Sequence, residues 1–223
     1  MSQIVAASPH VTTKNSTAVI MRDVLIALCP ALIAGCVVFG LRALLVVAVT
    51  TAACIFFEWG YEKLCGKPST ICDLSAAVTG VLLAMNLPVS IPLWQAVFGA
   101  LVAMVAVKGL FGGIGKNFAN PAITARIVMF LAFSKSMTAW VFPDAVSSAT
   151  PLAMMANGES VDYLTLLLGN HGGCLGETSA LALLIGFAYL LIRGVISWHT
   201  PVCFVVTVFV MSLILGQDAV GQI

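Results

Sequence analysis

Charged residues are scarce in this sequence, and their scarcity excludes most soluble folds. Only 9% of the 223 residues are Asp, Glu, Lys or Arg, whereas 61% are hydrophobic. A soluble domain usually has about 25% charged and about 45–50% apolar residues. The apolar excess is too large to be buried inside a water-facing fold, so lipid must be the surrounding solvent. The sequence therefore predicts an integral membrane protein.

A basic excess and closely spaced cysteines are also lacking. The net charge is +1, which gives no electrostatic basis for binding nucleic acid. The seven cysteines form no C-x-x-C pair, although close spacing is the usual sign of a zinc or iron–sulfur site. Burial as small hydrophobic side chains is the favoured interpretation. A single cysteine ligand to a cluster shared with another subunit stays open.

An early apolar run is missing from the N-terminus. Residues 1–23 are largely polar, whereas a signal peptide has its apolar core earlier and a small-residue cleavage site after it. We therefore expect residues 1–23 to form an uncleaved cytoplasmic segment.

Seven apolar runs follow, and each is a candidate for a membrane-spanning helix. A helix needs about 20 mostly apolar residues to cross the bilayer core. The third run is shorter and ends in NLPVSIP, which predicts a broken or tilted helix. The runs are 24–40, 43–59, 74–87, 93–110, 121–133, 179–192 and 201–215. The predicted fold class is therefore an all-α polytopic membrane protein with about seven transmembrane helices.

The distribution of Lys and Arg predicts the orientation, because cytoplasmic loops are enriched in these residues. With the N-terminus inside, eight basic residues lie in inner segments and two in outer segments. The inner residues are Lys14, Arg22, Lys63, Lys67, Lys108, Lys116, Arg126 and Arg193, and the outer residues are Arg42 and Lys135. This asymmetry places residues 134–178 on the outer face.

A weak internal similarity indicates an inverted repeat. Charged and polar residues stand at the start of both the first and the sixth run. An arginine then follows each of these runs before the next one begins. Transporter-like folds contain such repeats. We divide the chain into a cytoplasmic segment (1–23), a first repeat of about five spans (24–133), an outer segment (134–178) and the start of a second repeat (179–223). We expect this second repeat to be incomplete.

A glycine-rich sequence, FGGIGKNFANPAITAR, joins the fourth and fifth runs. Gly112 and Gly113 allow a ligand or another helix to approach the backbone closely. Asn117 and Asn120 add amide groups just before a helix that begins at Pro121, and buried amides need partners. From these residues alone, a flexible cytoplasmic loop is favoured over a ligand site, and both interpretations stay open.

Acidic residues near the apolar runs are few. Asp73 precedes the third run, where a helix cap is favoured over a proton or cation ligand. No acidic residue stands out inside a run. The nearest is Glu58, close to the end of the second run, and its position is equally compatible with the membrane interface.

The sequence DAVSSATPL lies in the longest polar gap. Thr150 followed by Pro151 is typical of a helix N-cap, and most such threonines have no further role. A helix start also favours anions, so a phosphate ester on the Thr150 hydroxyl would lie in a favourable field. Asp144 would help to orient a metal or a substrate. The small residues that leave the hydroxyl accessible are Ser147, Ser148 and Ala149.

These stretches together resemble one protein family. The pattern D-x-x-S-S-A-T, which ends at Thr150, is similar to the flavinylation motif in which FMN is joined by a phosphoester to the final threonine. The blocks FGGIGKNFANPAITAR, DLSAAVTGVLLAMNLP, GETSALALLIG and SWHTPV resemble the NqrB/RnfD family of membrane subunits. The resemblance covers about residues 8–215. Many members have glycine in place of Ser148, and the family fold has about ten spans in two inverted repeats.

The resemblance implies a membrane subunit of an ion-pumping electron transport complex in the bacterial inner membrane, with a cytoplasmic N-terminus. An Rnf complex couples electron transfer between ferredoxin and NAD to the movement of Na⁺ or H⁺. Thr150 would carry covalent FMN on the outer face, installed by an FAD-dependent flavin transferase. The other residues of the attachment site would be Asp144, Ser147, Ser148 and Ala149. Electrons would arrive from the covalent FMN of the RnfG subunit. The other implied partners are the A, B, C and E subunits.

A second, non-covalent flavin is also implied by the resemblance. Riboflavin would bind at the glycine-rich loop through Gly112, Gly113, Asn117 and Asn120. The sequence has no nucleotide-binding domain and no iron–sulfur motif, so NADH and ferredoxin are expected to bind partner subunits. The alternative is a solute channel or transporter without a redox role, since the composition and the repeat fit it equally well.

Overall fold

Helices account for the regular secondary structure of the described residues. The computed structural model describes residues 16–139, 173–176 and 179–215. Within these ranges there is no β-strand, which confirms the all-α class for this part of the chain. The helices are α1 (Thr17–Phe39), α2 (Leu41–Leu64), α3 (Ser75–Met85), α4 (Leu93–Leu101), α5 (Pro121–Ala132), α6 (Ser134–Met137), α7 (Ala180–Ile192) and α8 (His199–Ile214). A 3₁₀ turn at Ile71–Asp73 precedes α3, and a π-helix at Val102–Gly109 continues α4.

Helix length separates these elements into two groups. In the described ranges, α1 and α2 alone are long and apolar enough to cross a bilayer by themselves, and five shorter apolar helices accompany them. Helix α3 has 11 residues and therefore a length of about 16 Å, roughly half of the apolar core. It ends before NLPVSIP, as the sequence predicted. The number of complete crossings stays a prediction.

Two helices extend further than the apolar runs predicted. Helix α1 begins at Thr17 rather than at residue 24, and the Ser16 hydroxyl accepts a hydrogen bond from Val19 N at 3.4 Å. Helix α2 continues to Leu64 rather than ending at residue 59. The added turns contain acidic residues that are buried against partners, which hydropathy alone does not reveal.

Helix α2 is central to the described fold, because it packs against α3, α4 and the π-helix. The two helices α2 and α3 are close together at Gly80, where an added Cβ would lie 2.6 Å from Thr51 Cα. Small residues at such positions let membrane helices approach closely. The absence of a side chain at Gly80 therefore sets the distance between α2 and α3.

Helices α1 and α7 pack together and share an ion pair. Arg193 donates from Nη2 and Nε to Asp23 Oδ2 at 2.9 and 3.1 Å, and the Tyr189 hydroxyl donates to Asp23 Oδ1 at 3.4 Å. Asp23 lies near the start of α1, and Arg193 directly follows α7. The start of α1 and the end of α7 therefore lie at the same end of the bundle.

We expect Gly80→Ala to destabilise the protein by about 1–3 kcal/mol, because the added methyl group overlaps the backbone of α2. Helix propensity alone would favour alanine over glycine. The matched control is Gly60→Ala in α2, where an added Cβ has no atom within 4 Å. Thermal unfolding of the purified protein in detergent measures both changes. Equal midpoints for the two variants would contradict close packing at Gly80.

Candidate functional site at the two ends of helix α3

A buried ion pair lies at the N-terminal end of α3, where α2, the π-helix and α3 meet. Lys108 Nζ forms an ion pair with Glu58 Oε1 and donates a hydrogen bond to the Ser75 hydroxyl at 2.5 Å. Only 5% of each charged side chain is exposed. Buried charges are tolerated when they are paired and hydrogen-bonded, as here. The pair therefore ties three elements together at this end of α3.

A second carboxylate lies one helical turn further along α2. Thr70 N donates to both oxygens of Glu62, at 3.1 and 3.2 Å, and the Thr70 hydroxyl donates to Glu62 Oε1. The same hydroxyl is 3.3 Å from Glu58 Oε1. The loop at Thr70 therefore joins the two carboxylates into one polar cluster.

The residue that precedes α3 has an unusual backbone conformation. The N-cap of α3 is Leu74 rather than Asp73, so the N-cap assignment of Asp73 is wrong by one residue, although Asp73 Oδ1 accepts a hydrogen bond from Ser75 N at 2.8 Å. Leu74 between them has φ 64°, in the left-handed region that bulky residues rarely adopt. Strained backbone of this kind persists where neighbouring contacts hold it, and it is frequent at functional sites.

Two adjacent cavities open beside this cluster. The larger, about 340 Å³, is lined in part by Glu58, Glu62 and Asp73. The smaller, about 170 Å³, is lined in part by Ser75. Lys108 lines both cavities, so the buried ammonium group lies between them.

The four residues predicted in the glycine-rich loop all line these cavities. Gly112 and Gly113 line the larger cavity, with φ values of 102° and 93° that favour glycine. Asn117 and Asn120 line the smaller cavity. The structure therefore brings the predicted loop residues together with the buried ion pair.

The two asparagines differ in their hydrogen bonding. Asn120 is the N-cap of α5, and its Oδ1 accepts from Ala122 N at 3.0 Å and Ile123 N at 3.4 Å. Asn117 Oδ1 is buried and has no hydrogen-bond partner among the described residues. Asn120 thus has a sufficient structural role, whereas Asn117 keeps an unpaired acceptor beside the smaller cavity.

The C-terminal end of α3 is closed by another part of the chain. Leu175 N donates to Leu87 O at 3.2 Å, and Gly176 N donates to Met85 O at 2.8 Å. Backbone groups that leave a helix inside the bilayer need protein partners of this kind. The segment 173–176 supplies them for α3.

Arg126 of α5 contacts the same end of α3. Its guanidinium donates to Asn86 Oδ1 at 2.9 Å and to Cys174 Sγ at 3.4 Å. Arg126 counted among the cytoplasmic residues in the charge analysis, but the structure places it, partly buried, against a helix end. It is therefore a poor marker of orientation.

The ion pair of Glu58 and Lys108 was missed by the sequence analysis. Glu58 was interpreted as compatible with the interface and Lys108 as a cytoplasmic marker. Their burial against each other was not predicted, and the position of both relative to the membrane stays a prediction. Hydropathy averages each run separately and does not reveal pairs between runs. The sequence does contain a signal for this pair. An acidic residue, Glu58, lies near the end of one apolar run and a basic residue, Lys108, lies near the end of another, and both ends are predicted on the same side of the membrane.

The predicted flavin attachment site lies outside the described residues. Thr150, Asp144, Ser147, Ser148 and Ala149 all belong to this part of the chain, so their assignment stays a prediction. All seven cysteines are free. Cys54 and Cys174 are buried as expected, whereas burial is wrong for the exposed Cys29, Cys65, Cys72 and Cys203. Within the described ranges, no three His, Cys, Asp or Glu side chains are grouped to hold a metal ion.

We expect Lys108→Met to destabilise the protein by about 3–5 kcal/mol, since it leaves the Glu58 carboxylate buried without its counter-charge. Adding Glu58→Leu should restore much of this loss, because the unpaired charge is then removed as well. A control, Lys135→Met at an exposed position, should change stability by about 0.5 kcal/mol or less. Detergent unfolding midpoints give the double-mutant cycle, and strictly additive effects would contradict a direct pair.

Comparison with known proteins gives a match over nearly the whole chain. The model of the NQR2, RnfD, RnfE family matches residues 4–222. The chain is 45% identical to the D-type subunit of the Na(+)-translocating ferredoxin:NAD(+) oxidoreductase complex of Acetobacterium woodii, over 97% of this chain and 70% of that protein. It is 35% identical to the D-type subunit of the proton-translocating ferredoxin:NAD(+) oxidoreductase complex of Clostridium ljungdahlii, over 95% and 69%. A third relative, the D-type subunit of the ion-translocating oxidoreductase complex of Halorhodospira halophila, is 34% identical over 96% and 71%.

These matches confirm the resemblance that the sequence blocks indicated. The matched length includes the ion pair, the glycine-rich loop and the DAVSSAT sequence. The chain belongs to the NQR2, RnfD, RnfE family.

Proposed function

We propose that this chain is the D-type membrane subunit of an Rnf complex in the bacterial inner membrane. It passes electrons between flavins while the complex moves Na⁺ or H⁺ across the membrane. The observation that carries the proposal is the flavinylation-like sequence at residues 144–150 in a chain that belongs to this family. Two of its relatives are named as subunits of Na⁺- and proton-translocating ferredoxin:NAD⁺ oxidoreductases.

Thr150 is the proposed attachment point for covalent FMN. Its hydroxyl forms a phosphoester, and a flavin transferase recognises Asp144 with the small residues Ser147, Ser148 and Ala149. A helix start at Thr150 and Pro151 favours the negative charge of the phosphate. Bound FMN supplies electron transfer in single steps, and the chain holds it on the outer face, where the FMN of RnfG is within reach.

The proposed orientation has the N-terminus in the cytoplasm and the flavin segment outside. It places Asp23 and Arg193 on the same side of the membrane, as their ion pair requires in either orientation. The excess of Lys and Arg in the inner segments remains after Lys108 and Arg126 are removed from the count, because the other inner basic residues still outnumber the outer ones.

The glycine-rich loop, with the two adjacent cavities that it lines, is the proposed site of non-covalent riboflavin. Asn117 Oδ1 offers an acceptor to an N–H group of a ring, which is the polar feature that an isoalloxazine presents. The N-terminal ends of α3 and α5 lie at the smaller cavity, through Ser75 and Asn120. Gly112 and Gly113 let the loop approach the adjoining cavity closely.

The proposed partners are the RnfG subunit and the A, B, C and E subunits. The sequence lacks an iron–sulfur motif and a nucleotide-binding domain. Ferredoxin and NAD therefore bind elsewhere in the complex, and this chain connects flavins within the membrane.

A solute channel or transporter without a redox role is the second candidate. The observation that favours it is the broken helix α3, since interrupted helices line the binding sites of many transporters. Flavin content separates the two functions, because a transporter of this kind needs no covalent FMN.

Thr150→Val should abolish covalent flavin, because valine has no hydroxyl to form the phosphoester. The measurement is ultraviolet fluorescence of the denatured subunit on a gel, after purification of the complex from its native host. The matched control is Ser148→Ala, which keeps a small residue before Thr150 and should retain the fluorescence. A fluorescent Thr150→Val subunit would place the flavin on another residue.

Asn117→Leu should remove the non-covalent flavin while leaving the covalent FMN in place, because it deletes the unpaired acceptor at the smaller cavity. Acid extraction followed by chromatography measures released riboflavin, and gel fluorescence measures the covalent flavin. Lys116→Gln, at an exposed position in the same loop, is the control and should keep both flavins. Undiminished riboflavin in Asn117→Leu would remove this loop from the flavin site.

A further inference from the structure

Two lysines at the C-terminal end of α2 lie over aromatic rings. Lys63 Nζ is 4.9 Å from the centre of the Trp59 ring, and Lys67 Nζ is 5.0 Å from the centre of the Tyr61 ring. Distances below about 6 Å give a favourable cation–π contact. Both lysines are exposed, and among the described residues neither ammonium group forms an ion pair with a carboxylate. This end of α2 therefore has two positive charges that no counter-charge in the described ranges balances.

A glycine turn after α2 brings the second lysine back to the helix. Gly66 has φ 63°, and its N–H donates to Lys63 O at 3.4 Å, while Lys67 N donates to Glu62 O at 2.9 Å. These two hydrogen bonds and the left-handed glycine define a Schellman-type helix end. The turn therefore holds Lys63 and Lys67 at the same end of α2, each against its own ring.

Large apolar side chains are exposed beside these lysines. Phe56 and Trp59 lie one turn apart on the same face of α2 as Lys63, with their ring centres 6.2 Å apart, and Phe56 is 60% exposed. Leu64, next to Lys63, is 90% exposed. Contiguous apolar surface of this kind marks contact with a membrane or a partner protein. Since α2 is long and apolar enough to cross a bilayer, its exposed face needs an apolar cover.

The composition of this surface favours lipid over a protein partner. Lysine is depleted in protein–protein interfaces. Lysine together with Trp and Tyr at the end of an apolar helix is instead the pattern of the membrane–water boundary. There a lysine covers apolar surface with its methylene groups while its ammonium group reaches the polar headgroup layer.

The uncompensated charges select the type of lipid. A lysine close to an anionic membrane surface strengthens the attraction about fivefold. Lysines at a helix C-terminus also stabilise the helix dipole, but that role requires neither the aromatic rings nor the exposed apolar face. The combination of charge, rings and apolar surface therefore matches a phospholipid with a negative headgroup.

We propose that Trp59, Tyr61, Lys63 and Lys67 form a binding surface for an anionic phospholipid of the surrounding membrane. The two ammonium groups contact the headgroup phosphate, and the acyl chains lie along the exposed face of α2 that includes Phe56. This role goes beyond electron transfer and ion movement and does not depend on either proposed flavin.

Photolabelling of the intact complex tests this surface. The complex is purified from its native host and placed in phosphatidylcholine vesicles with a trace of phosphatidylglycerol that has a diazirine close to its headgroup. Peptide mass spectrometry locates the adduct, which we expect within residues 59–67. The yield should exceed that of a matched phosphatidylcholine probe about 25-fold, because two lysines contribute about fivefold each.

The double variant Lys63→Gln with Lys67→Gln should remove this preference, so that the two probes label equally. Each single variant should lower the preference about fivefold. The matched control is Lys135→Gln, an exposed lysine of α6, which should leave it unchanged. Riboflavin content is measured in parallel, because Tyr61 and Lys67 also line the larger cavity. Loss of riboflavin with an unchanged lipid preference would assign Lys67 to the flavin and contradict the lipid surface.

Three further results would overturn the proposal. The first is no adduct within residues 59–67 with either probe, and the second is equal labelling of the unmodified complex by both probes. The third is a zero-length cross-link from Lys63 or Lys67 to a carboxylate of another subunit, which would show that a protein supplies the counter-charge. All three are obtained with the unmodified complex and without reference to covalent flavin, so this failure is distinguishable from failure of the proposed function.

Discussion

A helix too short to cross the membrane must have both ends covered by protein, and α3 imposes that constraint on the rest of this fold. Its length of about 16 Å leaves unpaired backbone groups where no water is available. At one end, the segment 173–176 donates to Met85 O and Leu87 O. At the other end, Asp73 Oδ1 accepts a hydrogen bond from Ser75 N. The packing of α2 against α3, which depends on Gly80, holds the helix between these two ends.

The same constraint explains why the polar chemistry of the chain gathers at the ends of α3. Each end brings polar groups into the apolar core, and these groups allow further charged residues to be buried beside them. Lys108 and Glu58 lie at the N-terminal end with Ser75. Arg126 lies at the C-terminal end with Asn86. A break in a membrane helix thereby creates sites that a continuous helix would exclude.

The sequence predicted the elements well where apolar runs determine them. The stop of α3 before NLPVSIP and the start of α5 at Pro121 both follow from local rules. The pairing of Glu58 with Lys108 did not follow, because it depends on which helices become neighbours. The contacts of Arg126 could not be predicted for the same reason, because its partners are distant in sequence. The glycine-rich loop was singled out from its residues, and its position between two cavities came only from the fold.

The most direct test of the central claim, a flavin-carrying membrane subunit, is mass spectrometry of the peptide that contains Thr150. The peptide should come from the complex isolated from its native membrane, with no prior exposure to an added flavin transferase. The account predicts that the Thr150 peptide carries one FMN, joined with the loss of one water, and that fragmentation places it on the threonine. A Thr150 peptide found only in unmodified form would contradict the account.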